Sequence, residues 1–197
     1  MDQTRQFGTN LTFIRPDHVY RYRFAASKIP EGGSVIDAAC GCGYGSRILF
    51  EKDLTVTGID ISQEAIDYAI QYYAGPQYIC SSIEAVGDLE ADYLVSFETV
   101  EHLKFPSILK KLNCRHIIAS VPNEERYPFR PEIFAADEYP HQRHYRPVEF
   151  EQFLNGIDYR VTEKWCQKDK KGPISLGTDG LFLIYVGERI DPFLPVR

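Results

Sequence analysis

The sequence lacks any apolar run close to the roughly 18 residues that a membrane helix needs. Its first residues also lack the pairing of a basic with an apolar segment that marks a secretion signal. Its five cysteines are scattered and form no CxxC pair, which is typical of reduced thiols. From these absences we expect a cytoplasmic protein that makes no contact with membranes.

Positive charge is also scarce. The chain has 22 lysines and arginines against 28 acidic residues, a formal net charge of −6. Duplex nucleic acid is normally bound by a basic surface, so a nucleic-acid partner is disfavoured. Local contacts with an anionic group stay open because arginines gather in two places, at positions 15, 21 and 23 and at positions 126, 130, 143 and 146.

The apolar segments that are present alternate with helix signals. At 197 residues, 44% hydrophobic and 25% charged, the chain fits one folded domain. Short runs rich in β-branched residues predict strands at 34–39, 55–60, 93–97 and 116–121. Helices are expected over 16–29, from a cap at Ser62, over 106–112 and over 147–156. Strands separated by helices are typical of a parallel sheet that is covered on both faces.

The last two predicted strands, 159–165 and 181–186, have no helix between them and therefore predict an antiparallel hairpin at the sheet edge. We divide the chain into four parts: a helical segment over 1–33 that covers the site, a domain over 34–189, a substrate loop over 123–146 within that domain, and a tail over 190–197.

The most informative stretch is Val35–Ser46, an apolar strand that ends in Asp37 and continues into glycines 41, 43 and 45. Glycine lets the backbone pass close under a ligand. A second acid, Asp60, ends the next strand and is suited to accept hydrogen bonds from ribose hydroxyls. The spacing is G-x-G-x-G rather than the G-x-G-x-x-G of nicotinamide sites, and Asp37 would repel a pyrophosphate. Both features favour S-adenosylmethionine, which has no phosphate and carries positive charge.

This stretch resembles motif I of the class I S-adenosylmethionine-dependent methyltransferases, and residues 34–189 resemble the type 11 and coenzyme Q methylase-like group. The resemblance implies an α/β, Rossmann-like, doubly wound and mostly parallel seven-stranded sheet with a C-terminal antiparallel hairpin. It also implies that Asp37 and the loop of Gly41, Gly43 and Gly45 hold the methionine part. By the same resemblance Asp60 holds the ribose and Ile61 packs on the adenine.

Two positions depart from the family pattern. Ala39 stands where many members have the first glycine of the loop. After the third strand, where the family often has an acid that contacts adenine, the chain has Cys80–Glu84. Ser82 is expected to replace that acid, with the backbone amide of Ile83 beside it.

The fourth strand leads into Glu98, Glu101 and His102, which should face the ligand crevice at the carboxyl end of the sheet. In one interpretation Glu98 helps to hold the methionine part and the Glu101–His102 pair is structural. In the other, Glu98, Glu101, His102 and the distant His144 bind a divalent ion such as Mg²⁺, because E-x-x-E-H resembles the magnesium site of coenzyme Q O-methylases and small-RNA 2′-O-methyltransferases. The first interpretation is favoured.

An oxygen acceptor must lose its proton, and imidazole titrates near neutral pH. The candidate bases are His144 and, as second choice, His141, with Glu98 nearest the methyl group. The loop over 123–146 is rich in aromatic and arginine residues, which suits a sugar or an aromatic acceptor that carries a negative group. We expect that many of these aromatics only pack the loop against the sheet.

The leading hypothesis is therefore S-adenosylmethionine-dependent O-methylation of a small molecule or a glycan. One alternative is a metal-assisted RNA 2′-O-methyltransferase. The other is a cofactor-binding module without catalytic activity.

Overall fold

The structure is a computed structural model that describes residues 6–134 and 139–190. Eight strands form one sheet: β1 Ser34–Ala38, β2 Thr55–Asp60, β3 Gln77–Cys80, β4 Glu90–Phe97, β5 Asn113–Pro122, β6 Tyr159–Gln167, β7 Ile174–Leu176 and β8 Phe182–Arg189. The α-helices are α1 Pro16–Lys28, α2 Tyr44–Phe50, α3 Gln63–Tyr72, α4 Pro131–Phe134 and α5 Pro147–Gly156. Leu11–Phe13 and Pro106–Lys111 form 3₁₀ helices.

The strand order is β3-β2-β1-β4-β5-β8-β6-β7. Strands β1 to β5 are parallel to one another, whereas β8 runs antiparallel to both β5 and β6. The predicted α/β class and the mostly parallel sheet with an antiparallel C-terminal part are thus confirmed. Two details differ from the prediction: β7 is an additional strand at the edge, and β8 lies inside the sheet.

Both faces of the sheet are covered because neighbouring residues of each strand point to opposite sides. Ile36 belongs to one buried cluster, with Phe150 and Leu154 of α5. Val35 belongs to the other, with Ala25 of α1 and Leu49 of α2. This explains why the central strands read as continuous apolar runs rather than alternating ones.

The helices begin where the sequence predicts. The side chain of Ser62 accepts a hydrogen bond from the amide of Ala65 and caps α3. Prolines stand at the first positions of α1 and α5, where their missing amide hydrogen costs nothing. The predicted helix after Pro106 is a 3₁₀ helix instead.

The predicted domain limits are untested, although β1 begins at Ser34 and β8 ends at Arg189. Of the predicted tail, residues 191–197 lie outside the described residues, as do residues 1–5 of the N-terminal segment and 135–138 of the predicted substrate loop. Within the described part of the chain, no helix combines the length and the apolar character of a membrane span.

Candidate functional site

A cleft of about 280 Å³ opens at the carboxyl ends of the parallel strands. It lies where β1 pairs with β2 on one side and with β4 on the other, so the chain order of the strands reverses at this point. Ligands of open α/β sheets bind at such a reversal. Residues that follow β1, β2, β3 and β4 line the cleft, together with Tyr139 of the 123–146 loop.

The loop after β1 forms the floor of this cleft through Ala39 and Gly41. Both residues have a positive φ, 60° at Ala39 and 56° at Gly41. A Cβ added to Gly41 would meet no atom within 4 Å, so this glycine leaves room for a ligand. The sequence argument for a close backbone approach therefore applies to Gly41.

Gly43 and Gly45 serve packing instead. A Cβ on Gly43 would lie 2.5 Å from the Cβ of Ala69 in α3. A Cβ on Gly45 would lie 2.0 Å from the ring of Tyr22 in α1. Neither glycine lines the cleft; each allows a helix to pack closely on the loop.

Asp60 ends β2 and joins the loop to the cleft wall. Its Oδ2 accepts a hydrogen bond from the amide of Gly41 at 2.9 Å, and its Oδ1 accepts one from the amide of Ser62 at 2.9 Å. Asp60 lines the cleft, as the ribose assignment requires.

Asp37 does not line the cleft. Its carboxylate is fully buried and accepts hydrogen bonds from Ser46 Oγ at 2.6 Å and from Tyr22 Oη at 3.1 Å. Burial raises the pKa of Asp37 to about 7, against the lowering effect of the two hydroxyls. Asp37 therefore holds Ser46 and Tyr22 beneath the loop, and its contact with the methionine part stays a prediction.

The predicted adenine end is open. Ile61 lines the cleft with 54% of its surface exposed, which is unusual for isoleucine and suits a side chain that receives a flat ring. Ser82 and Ile83 line the cleft beside it, as expected from their place after β3. Glu84, which the sequence analysis did not single out, lines it as well.

Glu98 lines the opposite end of the cleft and has a strained backbone, with φ of 49°. Its Oε1 accepts a hydrogen bond from Ser120 Oγ at 2.8 Å and lies 3.5 Å from Nη1 of Arg21. A positive φ at a non-glycine residue persists only where the surroundings fix it. Glu98 is therefore held from behind by residues of β5 and α1.

Glu101 is the most unusual group beside the cleft. It is fully buried, and neither carboxylate oxygen has a hydrogen-bond partner among the described residues. Burial raises its pKa well above the usual range, and the nearby Glu98 raises it further. Ligand atoms of Glu101, His102 and His141 lie within 4.8 Å of one another. A carboxylate in this position needs a proton or a cation.

The two histidines predicted as bases are hydrogen-bonded to each other, His141 Nδ1 to His144 Nε2 at 2.8 Å. His144 Nδ1 lies 2.6 Å from the carbonyl oxygen of Tyr127, which can only accept. Burial lowers the pKa of both rings, that of His141 to about 3. For neutral rings we assign Nδ1–H on His144 and Nδ1–H on His141, which leaves the lone pair of His141 on Nε2.

His102 stands in front of this pair. It lines the cleft, whereas His141 and His144 do not. Its Nδ1 lies 2.6 Å from the carbonyl oxygen of Tyr139, and its ring centre is 4.4 Å from that of His141. The structure thus brings Glu101, His102 and His141 together, with His144 behind His141.

The aromatic residues of the 123–146 loop mainly pack on one another. Phe134 stacks on His141 at 4.2 Å, and Tyr127 and Phe129 contact His144. Of the loop residues proposed for the acceptor, Tyr139 lines the cleft. The arginines are also partly engaged, since Arg126 pairs with Asp179.

Part of the chain is similar in sequence to known proteins. Residues 36–113 match the sequence model of a family described as a methyltransferase domain. The chain is 40% identical over 57 residues to the Bacillus subtilis (strain 168) protein YqeM, covering 29% of this chain and 23% of that protein. It is 28% identical over 87 residues to a ubiquinone biosynthesis O-methyltransferase of Idiomarina loihiensis, covering 41% and 36%. The matches therefore span about a quarter and about a third of these relatives.

The fold is shared with solved structures at low identity. The 1,6-didemethyltoxoflavin-N1-methyltransferase of Burkholderia thailandensis, with bound S-adenosylhomocysteine, has a TM-score of 0.67 and 13% identity, covering 92% of this chain and 82% of that chain. Residues 36–113 are therefore similar to a methyltransferase domain, and the chain shares the fold of solved S-adenosylmethionine-dependent methyltransferases.

Proposed function

We propose that the protein transfers a methyl group from S-adenosylmethionine to an oxygen atom of a small molecule or a glycan. The observation that carries the proposal is the cleft, in which Gly41, Asp60, Ile61 and Glu98 line one continuous surface. In this proposal Ile61 faces the adenine, Asp60 the ribose, and Gly41 and Glu98 the methionine part.

The charges of the cleft fit this cofactor. Asp60, Glu84 and Glu98 line it, and Lys104 is the one lysine or arginine among the described lining residues. Carboxylates repel a pyrophosphate and attract an ammonium or a sulfonium group. When bound, S-adenosylmethionine supplies a methyl group that its sulfonium has already activated, so the protein must align the acceptor and exclude water.

The proton of an oxygen acceptor is proposed to leave through the histidines. His102 lines the cleft, and its Nδ1–H donates to the carbonyl oxygen of Tyr139. In the neutral ring Nε2 then carries the lone pair and can accept the proton. His141 and His144, the bases expected from the sequence, support its ring from behind. An O-methyltransferase among the relatives agrees with an oxygen acceptor.

Glu101 favours a second candidate, a reaction assisted by a divalent ion. The donor set of Glu101, His102 and His141 fits an ion, because a buried carboxylate without a partner lies close to two imidazoles. Two nitrogen donors favour Mn²⁺ or Zn²⁺ over the Mg²⁺ expected from the sequence. An ion there would polarise an acceptor hydroxyl. Of the predicted ligands, Glu98 and His144 lie outside this donor set.

Titration calorimetry with each metal salt alone tests this candidate. Wild-type protein should bind Mn²⁺ or Zn²⁺ at one site, and Glu101→Gln should abolish binding. His116→Asn is the matched control, since His116 stacks on Tyr93 outside the cluster. Equal binding by Glu101→Gln and wild type would remove the metal from the proposal.

Cofactor binding is tested with S-adenosylhomocysteine in a calorimeter. Asp60→Asn should weaken binding at least tenfold, because it removes the charge and one acceptor from the ribose side. Asp92→Asn is a matched control: Asp92 also accepts from a backbone amide, that of Ser34, but at the amino end of β1. Equal affinity of Asp60→Asn and wild type would refute the ribose assignment.

The acceptor class is tested with methyl-labelled S-adenosylmethionine against phenols, sugars and short RNAs. Label on a phenol or sugar oxygen supports the proposal. Label on an RNA ribose, dependent on added metal, would replace it with the RNA alternative. Cofactor binding without transfer to any acceptor would favour a non-catalytic module.

A further inference from the structure

A fully buried arginine, Arg21 of α1, lies directly behind Glu98. Its Nε donates to Gln167 Oε1 at 2.6 Å, and its Nη2 donates to Asp17 Oδ2 at 3.1 Å. Its guanidinium carbon lies 4.3 Å from the ring centre of Phe182. Three neighbours therefore fix the plane of the guanidinium.

The remaining nitrogen, Nη1, has no hydrogen-bond partner among the described residues and is buried. It lies 3.5 Å from Glu98 Oε1. Leaving a buried charged donor without a hydrogen bond costs free energy. The contacts of Nε and Nη2, rather than a hydrogen bond from Nη1, therefore fix the position of Nη1 near Glu98.

The protein contacts Glu98 through one carboxylate oxygen, Oε1. Ser120 Oγ donates to Oε1, the same oxygen that faces Arg21, and Glu98 also lines the cleft. Oε2 has no recorded hydrogen bond to a described residue. The contacts of Oε1 thus orient the carboxylate, and Oε2 is the oxygen that can accept a hydrogen bond from a ligand.

Strand order sets where this carboxylate acts. Strand β1 separates β2, which ends in Asp60, from β4, which precedes Glu98. Two strand spacings amount to roughly 10 Å. This separation is enough to put the nucleoside at Asp60 and the amino-acid part of the cofactor at Glu98.

We propose that Arg21 is a positioning residue, which holds the Glu98 carboxylate oriented toward the positively charged amino-acid part of the cofactor. This inference rests on the proposed function. Asp17 and Gln167 in turn hold Arg21, so helix α1 and strand β6 contribute to cofactor recognition without touching the ligand.

The test compares two probes by calorimetry. S-Adenosylhomocysteine carries an ammonium group, whereas 5′-methylthioadenosine has the nucleoside but no amino-acid part. For Arg21→Met and for Glu98→Gln, we expect the affinity for S-adenosylhomocysteine to fall at least tenfold. The affinity for 5′-methylthioadenosine should stay within twofold of wild type, because the adenosine end is unchanged.

A double-mutant cycle shows whether Arg21 acts through Glu98. In the Glu98→Gln background, Arg21→Met should weaken S-adenosylhomocysteine binding by no more than a further twofold. An undiminished tenfold effect there would mean that Arg21 binds the ligand directly, which overturns the proposal. An equal loss for both probes would reduce Arg21 to a structural role and also overturn it.

Arg21→Lys and Gln167→Met provide the same test if Arg21→Met does not fold. Lysine keeps the charge and should restore part of the affinity for S-adenosylhomocysteine. Gln167→Met removes an acceptor that orients Arg21 and should give a smaller loss for this probe alone. If wild-type protein binds neither probe, the proposed function itself fails, which is distinct from every outcome above.

Discussion

Gly41→Ala separates the ligand role of the loop from its backbone strain. Gly41 has a φ of 56°, and an added Cβ would enter open space at the cleft floor. Alanine in this left-handed conformation costs about 1–2 kcal/mol. For a domain of this size, about 1 kcal/mol lowers Tm by roughly 2–4 °C. The amide that donates to Asp60 is kept.

Binding should suffer in addition. A methyl group inserted into a fitted contact costs about 1–3 kcal/mol, which corresponds to roughly a 5-fold to 150-fold loss of affinity. The assay is S-adenosylhomocysteine calorimetry beside thermal unfolding. We therefore expect Gly41→Ala to combine a modest fall in Tm with a large rise in Kd.

Gly32→Ala is the matched control. Gly32 also has a positive φ, 78°, with no atom within 4 Å of an added Cβ, but it precedes β1 at the opposite end of the sheet. It should lower Tm to a similar degree and leave Kd unchanged. Equal values of Kd for the two variants would refute the argument that Gly41 makes room for the cofactor.

Three further predictions concern the same loop. Ala39→Gly should leave stability unchanged or raise it by up to about 1 kcal/mol in chemical denaturation, because it relieves a φ of 60°; a clear loss would contradict the strain. Since the pKa of Asp37 is raised from 3.8 to about 7, its contribution to stability is full below pH 4 and is lost as pH rises to 7, about 4 kcal/mol in total. Asp37→Asn should lack this part of the slope between pH 4 and pH 7, and an unchanged slope would refute the assignment. Gly45→Ala should cost about 1–3 kcal/mol of unfolding free energy through collision with the Tyr22 ring. When Tyr22→Ala is added, the total loss in chemical denaturation should be smaller than the sum of the two single losses; simple additivity would argue against the collision.

Sequence patterns predicted those parts of the site whose position depends on residues close to them in the chain. Asp60 and Gly41 follow buried strands, and the carboxyl ends of neighbouring parallel strands must meet. Apolar runs, proline positions and the Ser62 cap likewise set the helices and most strands. The three-residue strand β7 carries too short a signal to be read from periodicity.

The supports of the site could not be predicted because they come from distant positions. Ser120 holds Glu98 from 22 residues away, and Tyr22 of α1 reaches Asp37 of β1 from 15 residues away. Nothing in the order of residues says which hydroxyl will face which carboxylate. The same holds for His141, which shares a hydrogen bond with His144 and lies beside Glu101, whereas the resemblance implied His144 there.

The seat of the Tyr22 ring on Gly45 has a consequence for protein engineering. The ring occupies the space where a Cβ of residue 45 would lie, and its hydroxyl donates to Asp37. The residues at 22, 37 and 45 must therefore be compatible with one another. A chimera that imports α1 from another protein of this fold would have to import a compatible residue at 45 as well. Libraries that diversify the two segments independently would mostly yield unstable proteins.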